Sequence, residues 1–112
     1  MIHIHSFRYV SGTSANTEDC LYDVENTAPA IGITGYETLT NDQEATMQHL
    51  ANVGPLAVNV DASSWHSYES GVFDGCSFDT NIDLNHVVQL VGYGTDDEQG
   101  DFWIVRNSWS TR

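Results

Sequence analysis

Chemistry at neutral pH draws on few side-chain types, and this sequence holds five histidines, two cysteines and sixteen carboxylates against three arginines. His86 has the most suggestive surroundings. It precedes the apolar run Val87-Val88-Gln89-Leu90-Val91, and Asn107 closes a second run, Phe102-Trp103-Ile104-Val105-Arg106. A histidine oriented by an asparagine carboxamide is an arrangement that catalysis uses. The amide oxygen holds the proton of one ring nitrogen and leaves the other nitrogen to face a nucleophile. The other candidates carry less. His3 and His5 alternate as on one strand face, but two ligands do not make a metal site. His49 and His66 have no identifiable partner in the sequence. Asp96-Asp97-Glu98 lacks the ligand spacing of a calcium loop and reads as a solvated turn. Trp65, Tyr68 and Phe73 read as packing residues. Cys20 and Cys76 lie half the chain apart, with no CxxC and no zinc-type Cys/His spacing. They allow one internal disulfide, worth roughly 3–4 kcal/mol in the chain-entropy model, or two separate thiols. No metal and no cofactor is expected.

The elements that must position His86 and Asn107 follow from periodicity. Residues 6–32 are loop-rich, with Ser11-Gly12-Thr13-Ser14-Ala15-Asn16-Thr17 made of turn formers and small polar residues. Ile31-Gly32-Ile33-Thr34-Gly35-Tyr36 reads as a short strand punctuated by glycines. A helix is expected over 42–52. Asn41 and Glu44 are laid out as a capping box, Met47, Leu50 and Ala51 share one face, and Gly54-Pro55 stops the element. Leu56-Ala57-Val58-Asn59-Val60-Asp61 then reads as a strand. The two apolar runs form an antiparallel hairpin across the polar turn Gly94–Asp101. Residues equidistant from that turn sit roughly opposite each other. His86 and Asn107 therefore meet at the open end.

Composition limits the partners. A chain of 112 residues is at most one domain, and 40% hydrophobic residues exclude a disordered acidic tail. A formal net charge of −13 repels phosphate backbones and anionic lipid surfaces, so neither nucleic acid nor membrane is an expected partner. No apolar stretch reaches the roughly 18 residues of a membrane-spanning helix. The opening Met1-Ile2-His3-Ile4-His5 is too short and polar for a signal-peptide core.

The residues also carry a resemblance. Leu84-Asn85-His86-Val87-Val88-Gln89-Leu90-Val91-Gly92-Tyr93-Gly94 resembles the histidine motif of papain-family cysteine peptidases, and Trp103-Ile104-Val105-Arg106-Asn107-Ser108-Trp109 resembles their asparagine motif. Gly54-Pro55-Leu56-Ala57-Val58, and Tyr68, Gly71 and Val72 within Trp65–Phe73, are similar to cathepsin-L-like members. The resemblance covers roughly residues 8 to 109. It implies an α+β chain, the right-hand lobe of a papain-like fold, with a mostly antiparallel, barrel-like sheet and one short helix. Residues 1–112 would form one partial peptidase domain, truncated at both ends.

By the same resemblance His86 is the general base, Asn107 orients its imidazole and Trp109 shields their hydrogen bond. Asn85 matches a position contributing to substrate backbone binding. Asn59 and Val87 match positions lining the main specificity pocket, with Asn59 polar where an apolar residue is common. Cys20 and Cys76 fall where the family carries a disulfide. The family's nucleophile belongs to a Gly-Ser-Cys-Trp segment on the N-terminal lobe, and neither cysteine here stands in one. Cys76 precedes Asp79 and Asp83, and Cys20 lies among Glu18, Asp19 and Asp23, carboxylates that disfavour a thiolate. The implied function is hydrolysis of peptide or protein substrates, completed by the missing N-terminal lobe. The parent protein would be lysosomal or secreted, and the chain alone would be inactive. The competing expectation is a non-catalytic lobe that binds peptides or proteins.

Overall fold

The computed structural model describes residues 14–17, 19, 20, 23, 25, 31–76 and 81–109. They belong to two compact units, Met1–Thr38 and Leu39–Arg112. In the first unit, Ser14 is helical, unlike the turn-rich loop expected there, while Asp23 accepts a hydrogen bond from the Glu25 backbone N–H at 2.9 Å in a local turn. Most of residues 6–30, including Ser11 to Thr13, and the His3–His5 pair lie outside the described residues. The expected strand over 31–36 is not formed: no strand is assigned there, and Ile31, Ile33 and Tyr36 are exposed. A strand lasts only where its N–H and C=O groups find a ladder, and hydrophobic sequence alone supplies none.

The second unit begins with helix α1, Gln43–Asn52. Its N-cap is Asp42 rather than Asn41. The Asp42 carboxylate accepts from Ala45 N at 3.1 Å, and its backbone oxygen accepts from Thr46 N at 3.0 Å. The frame is therefore one residue later than the capping-box pattern suggested, and Glu44 reaches forward to Gln48 Nε2 instead of back to the cap. Ala45, Thr46, Met47, His49 and Leu50 are half-buried while Ala51 is exposed, so the packed stripe is displaced from the expected one. At the far end the His49 carbonyl accepts from both Val53 and Gly54, and Pro55 cannot continue the helix.

Three strands follow: β1 (Leu56–Val60), β2 (His86–Asp96) and β3 (Gly100–Arg106), with a single 3-10 turn at Trp65–Ser67 between the first two. They make one antiparallel sheet in the order β1-β2-β3. Among the described residues the sheet is open, not barrel-like. A barrel requires enough strands to bring its two edges together, and here β1 and β3 are those edges. Alternation puts Leu56, Val58 and Val60 of β1 on the face shared with Leu90, Val88 and His86 of β2. Val88 and Leu90 are buried there, and with Ala62 they are the buried hydrophobic residues among those described.

The hairpin turn is tighter than Gly94–Asp101. Pairing runs on through Thr95↔Asp101 to Asp96↔Gly100, leaving three residues in the loop. Asp96 Oδ1 accepts from Glu98 N and Gln99 N, both at 2.9 Å, and those bonds hold its carboxyl below the usual range near 3.8. Gly100, at φ +84°, supplies the left-handed residue that closes such a turn. Near mid-hairpin the register slips: Leu90 pairs with Val105 but Gly92 with Ile104, so Val91 is an extra residue bulged out of the ladder.

Candidate active site

His86 begins β2 opposite Val60, and Asn107 is the first residue beyond β3. The bulge decides whether they share a face. Had the register at the hairpin tip continued unchanged, Asn107 would stand opposite Gln89, on the face that His86 does not use. With Val91 expelled, the ladder reaches Gln89↔Arg106, and its continuation sets Asn107 beside Val88, next but one to His86. The two side chains therefore meet along a diagonal, not directly across the ladder.

His86 Nε2 lies 2.9 Å from Asn107 Oδ1. The same oxygen accepts from the backbone N–H of Ser108 at 2.8 Å. An N–H can only donate, so that contact orients the carboxamide with its oxygen toward the histidine. Nε2 must then carry the ring proton, and in the neutral imidazole the lone pair is on Nδ1. This is an imidazole whose tautomer is set by its neighbour.

Aromatic rings enclose the pair. Trp109 stacks on the imidazole with centroids 5.2 Å apart and planes 24° from parallel. Trp65 meets the imidazole edge-on at 6.4 Å and 89°, and also meets Trp109 at 6.4 Å and 75°. Phe73 packs on Trp65 at 6.5 Å and on Tyr68 at 6.1 Å, and the Tyr68 hydroxyl donates to the Gly71 carbonyl at 2.8 Å. His86 and Asn107 are half-buried, while Trp109 stays half-exposed at 50%.

Asn85 is held by the chain itself. Its Oδ1 accepts from Ala62 N at 3.0 Å, its Nδ2 donates to Ser63 Oγ at 2.9 Å and more weakly to Asp61 Oδ1 at 3.4 Å, and its backbone N–H donates to Val60 O. Asp61 also accepts from the Ser63 hydroxyl at 2.6 Å, from Ser63 N at 3.0 Å and from Asp83 N at 3.1 Å. The Ser63 hydroxyl, then the Ser63 and Asp83 amides, hold the Asp61 carboxyl below its usual range. The end of β1 and the start of β2 are thus tied together one residue before His86.

Asn59 and Val87 are direct cross-strand partners, both exposed, on the sheet face opposite to His86's. His66 is exposed on the 3-10 turn, and His49 belongs to α1. Cys20 and Cys76 are exposed free thiols, one in each unit. No group of three or more metal-ligating side chains occurs among the described residues. Sequence reasoning placed Trp65 in the packing and gave Asp61 and Ser63 no part. Asp61-Ala62-Ser63 carries the short Asx-turn signature that marks the second omission, while nothing local marks the contact between Trp65 and His86.

The papain family cysteine protease profile matches residues 4–112, more of the chain than the motifs alone suggested. Vignain from Vigna mungo is 46% identical over 83 residues, which is 71% of this chain and 22% of vignain. A cysteine proteinase of Trypanosoma brucei brucei is 38% identical over 105 residues, 94% of this chain and 22% of its own length. Cathepsin S of Rattus norvegicus is 38% identical over 117 residues, 93% of this chain and 34% of its own. The chain belongs to the papain family of cysteine proteases. It spans between about a fifth and a third of the length of these relatives.

Proposed function

We propose that this chain carries the base half of a cysteine-peptidase active site, with His86 as general base and Asn107 as the residue that orients it. One observation carries the reading: Nε2–H is committed to an amide oxygen that cannot donate back, and Nδ1 is left as the lone-pair nitrogen. A thiol supplied by a Gly-Ser-Cys-Trp segment of the N-terminal lobe would give its proton to Nδ1, forming a thiolate–imidazolium couple. The thiolate attacks the scissile carbonyl of a peptide or protein. The imidazolium then protonates the departing amine, and the neutral ring next activates the water that cleaves the thioester. Trp109, stacked on the ring, keeps solvent from the Nε2–Oδ1 bond.

Subsidiary assignments follow from the resemblance. Asn59 and Val87, side by side in register, would line the specificity pocket. The Asn85 carboxamide and backbone N–H are engaged within the chain, so any contact of Asn85 with substrate backbone is assigned to its own carbonyl. Cys20 and Cys76 would pair on oxidative folding in a lysosomal or secreted parent. A thiol titration of the unreduced, oxidatively folded protein under denaturing conditions should find none free, and finding two refutes the bond.

The functional test begins with the transcript, sequenced outward past Met1 and Arg112. A continuous frame holding a Gly-Ser-Cys-Trp segment is expected. Its product should cleave fluorogenic peptide amides in a thiol-dependent way, and His86→Ala should abolish the cleavage. A frame without that segment, or activity indifferent to His86→Ala, overturns the proposal. The first outcome would favour the second reading, a lobe that binds peptides without cutting them, which rests on the fact that neither Cys20 nor Cys76 stands in a nucleophile motif.

A further inference from the structure

Two side chains pack against the His86–Asn107 pair or its shield, and the resemblance accounts for only one. Trp109 covers the ring face. Trp65 stands nearly perpendicular to both the imidazole and Trp109, at the same 6.4 Å from each. It therefore stands beside the stack, against both rings. Phe73 backs it from behind, itself in contact with Tyr68. Trp109 lies two residues past Asn107, in a segment with no assigned strand, and is half-exposed. Among the described residues, no backbone hydrogen bond of its own keeps it on the imidazole. Trp65, by contrast, follows the turn anchored by Asp61, Ser63 and Asn85, and the Trp65 N–H itself donates to the Ala62 carbonyl at 3.0 Å.

From this geometry we infer that Trp65 is a positioning residue for the general base: clamped through the Asp61–Ser63–Asn85 network, it braces Trp109 in its stack on His86. The inference deepens the proposed function and rests on it. The brace acts through ring contact, so it needs an aromatic side chain and not bulk alone. An edge-to-face pair carries a directional preference that an aliphatic group of similar size lacks. The clamp has a separate task, which is to hold the turn from which that ring projects.

The test uses the 112-residue chain and nuclear magnetic resonance of the His86 ring. In the native chain the Trp109 face displaces the imidazole carbon-bound protons upfield by its ring current, and long-range nitrogen correlations show Nε2 protonated. Trp109→Ala sets the scale by removing the stack. Trp65→Leu is expected to carry the His86 protons most of the way to their Trp109→Ala positions and to speed Nε2–H exchange with solvent by about twofold to tenfold. Trp65→Phe should return both signals toward native values. Ser63→Ala, which removes no ring but loosens the turn that carries Trp65, should move them in the same direction by less. If Trp65→Leu unfolds the chain, Ser63→Ala decides alone. Native His86 signals in folded Trp65→Leu, equal effects of Leu and Phe, or no response to Ser63→Ala where it decides, would overturn the inference. A native chain without a protonated Nε2 would instead overturn the base assignment beneath it, so the two failures are distinguishable.

Discussion

Replacing Asn107 by alanine isolates the one bond on which the base assignment depends. Oδ1 sits 2.9 Å from His86 Nε2 and can only accept, so its free energy accrues to the Nε2–H tautomer alone. A half-buried neutral hydrogen bond of this kind contributes about 0.5–1.5 kcal/mol net. That amounts to about a twofold to tenfold bias in the tautomer ratio. Asn107→Ala should remove this bias, while the Ser108 N–H it also releases is exposed and is taken up by water. The measurement is a long-range proton–nitrogen correlation at about pH 8.5, well above the ordinary histidine range, where the protonated and bare ring nitrogens separate. Asn107→Asp keeps an acceptor at the site and should keep the bias. In a complete peptidase containing this lobe, kcat should fall by at least the same factor with little change in KM. An unchanged tautomer ratio in Asn107→Ala would refute the argument, because the contact would then be ordering nothing.

Other predictions concern stability. Leu90 is 6% exposed and central to the small buried set; Leu90→Ala should cost about 2–5 kcal/mol, read from urea denaturation, whereas Val87→Ala on the exposed face should stay within about 0.5 kcal/mol. Gly100→Ala places a side chain at φ +84° with open space around it, so backbone strain alone should cost about 1–2 kcal/mol. Asp61 and Asp96 both have carboxyls held below 3.8 in the folded chain. Their contribution is therefore complete above that pH and is lost as pH falls through the lower folded value. Acid unfolding of Asp61→Asn should accordingly be less steep in this low-pH window than that of the native chain, and an identical acid limb would argue against the hydrogen bonds around Asp61.

The helix was readable to its last residue, Asn52, because Gly54-Pro55 is a local stop, while its cap was misplaced because Asn41 and Asp42 are both good caps and only the tertiary frame selects one. Ile31–Tyr36 was misread as a strand because apolar composition does not reveal whether a pairing partner exists. The α+β class followed from local signals; an open sheet instead of a barrel is a matter of strand number, which no local pattern reports. At the site, the meeting of His86 and Asn107 was legible from hairpin symmetry alone. Its diagonal geometry was not, because nothing in Leu90-Val91-Gly92 announces which residue leaves the ladder. Trp65 was invisible as a neighbour of His86 because the two are brought together across a loop by packing.

The bulge at Val91 also determines where this hairpin can change length. Deleting Val91 would heal the ladder, leaving Gly92↔Ile104 and Leu90↔Val105 as they are and every residue nearer the site in place. Deleting any one residue from Val87 to Gln89 would instead turn His86 to the other face, away from Asn107. Within the site-proximal half of β2, insertions and deletions are thus confined to one position, a spacer that lets the tip and the site vary independently.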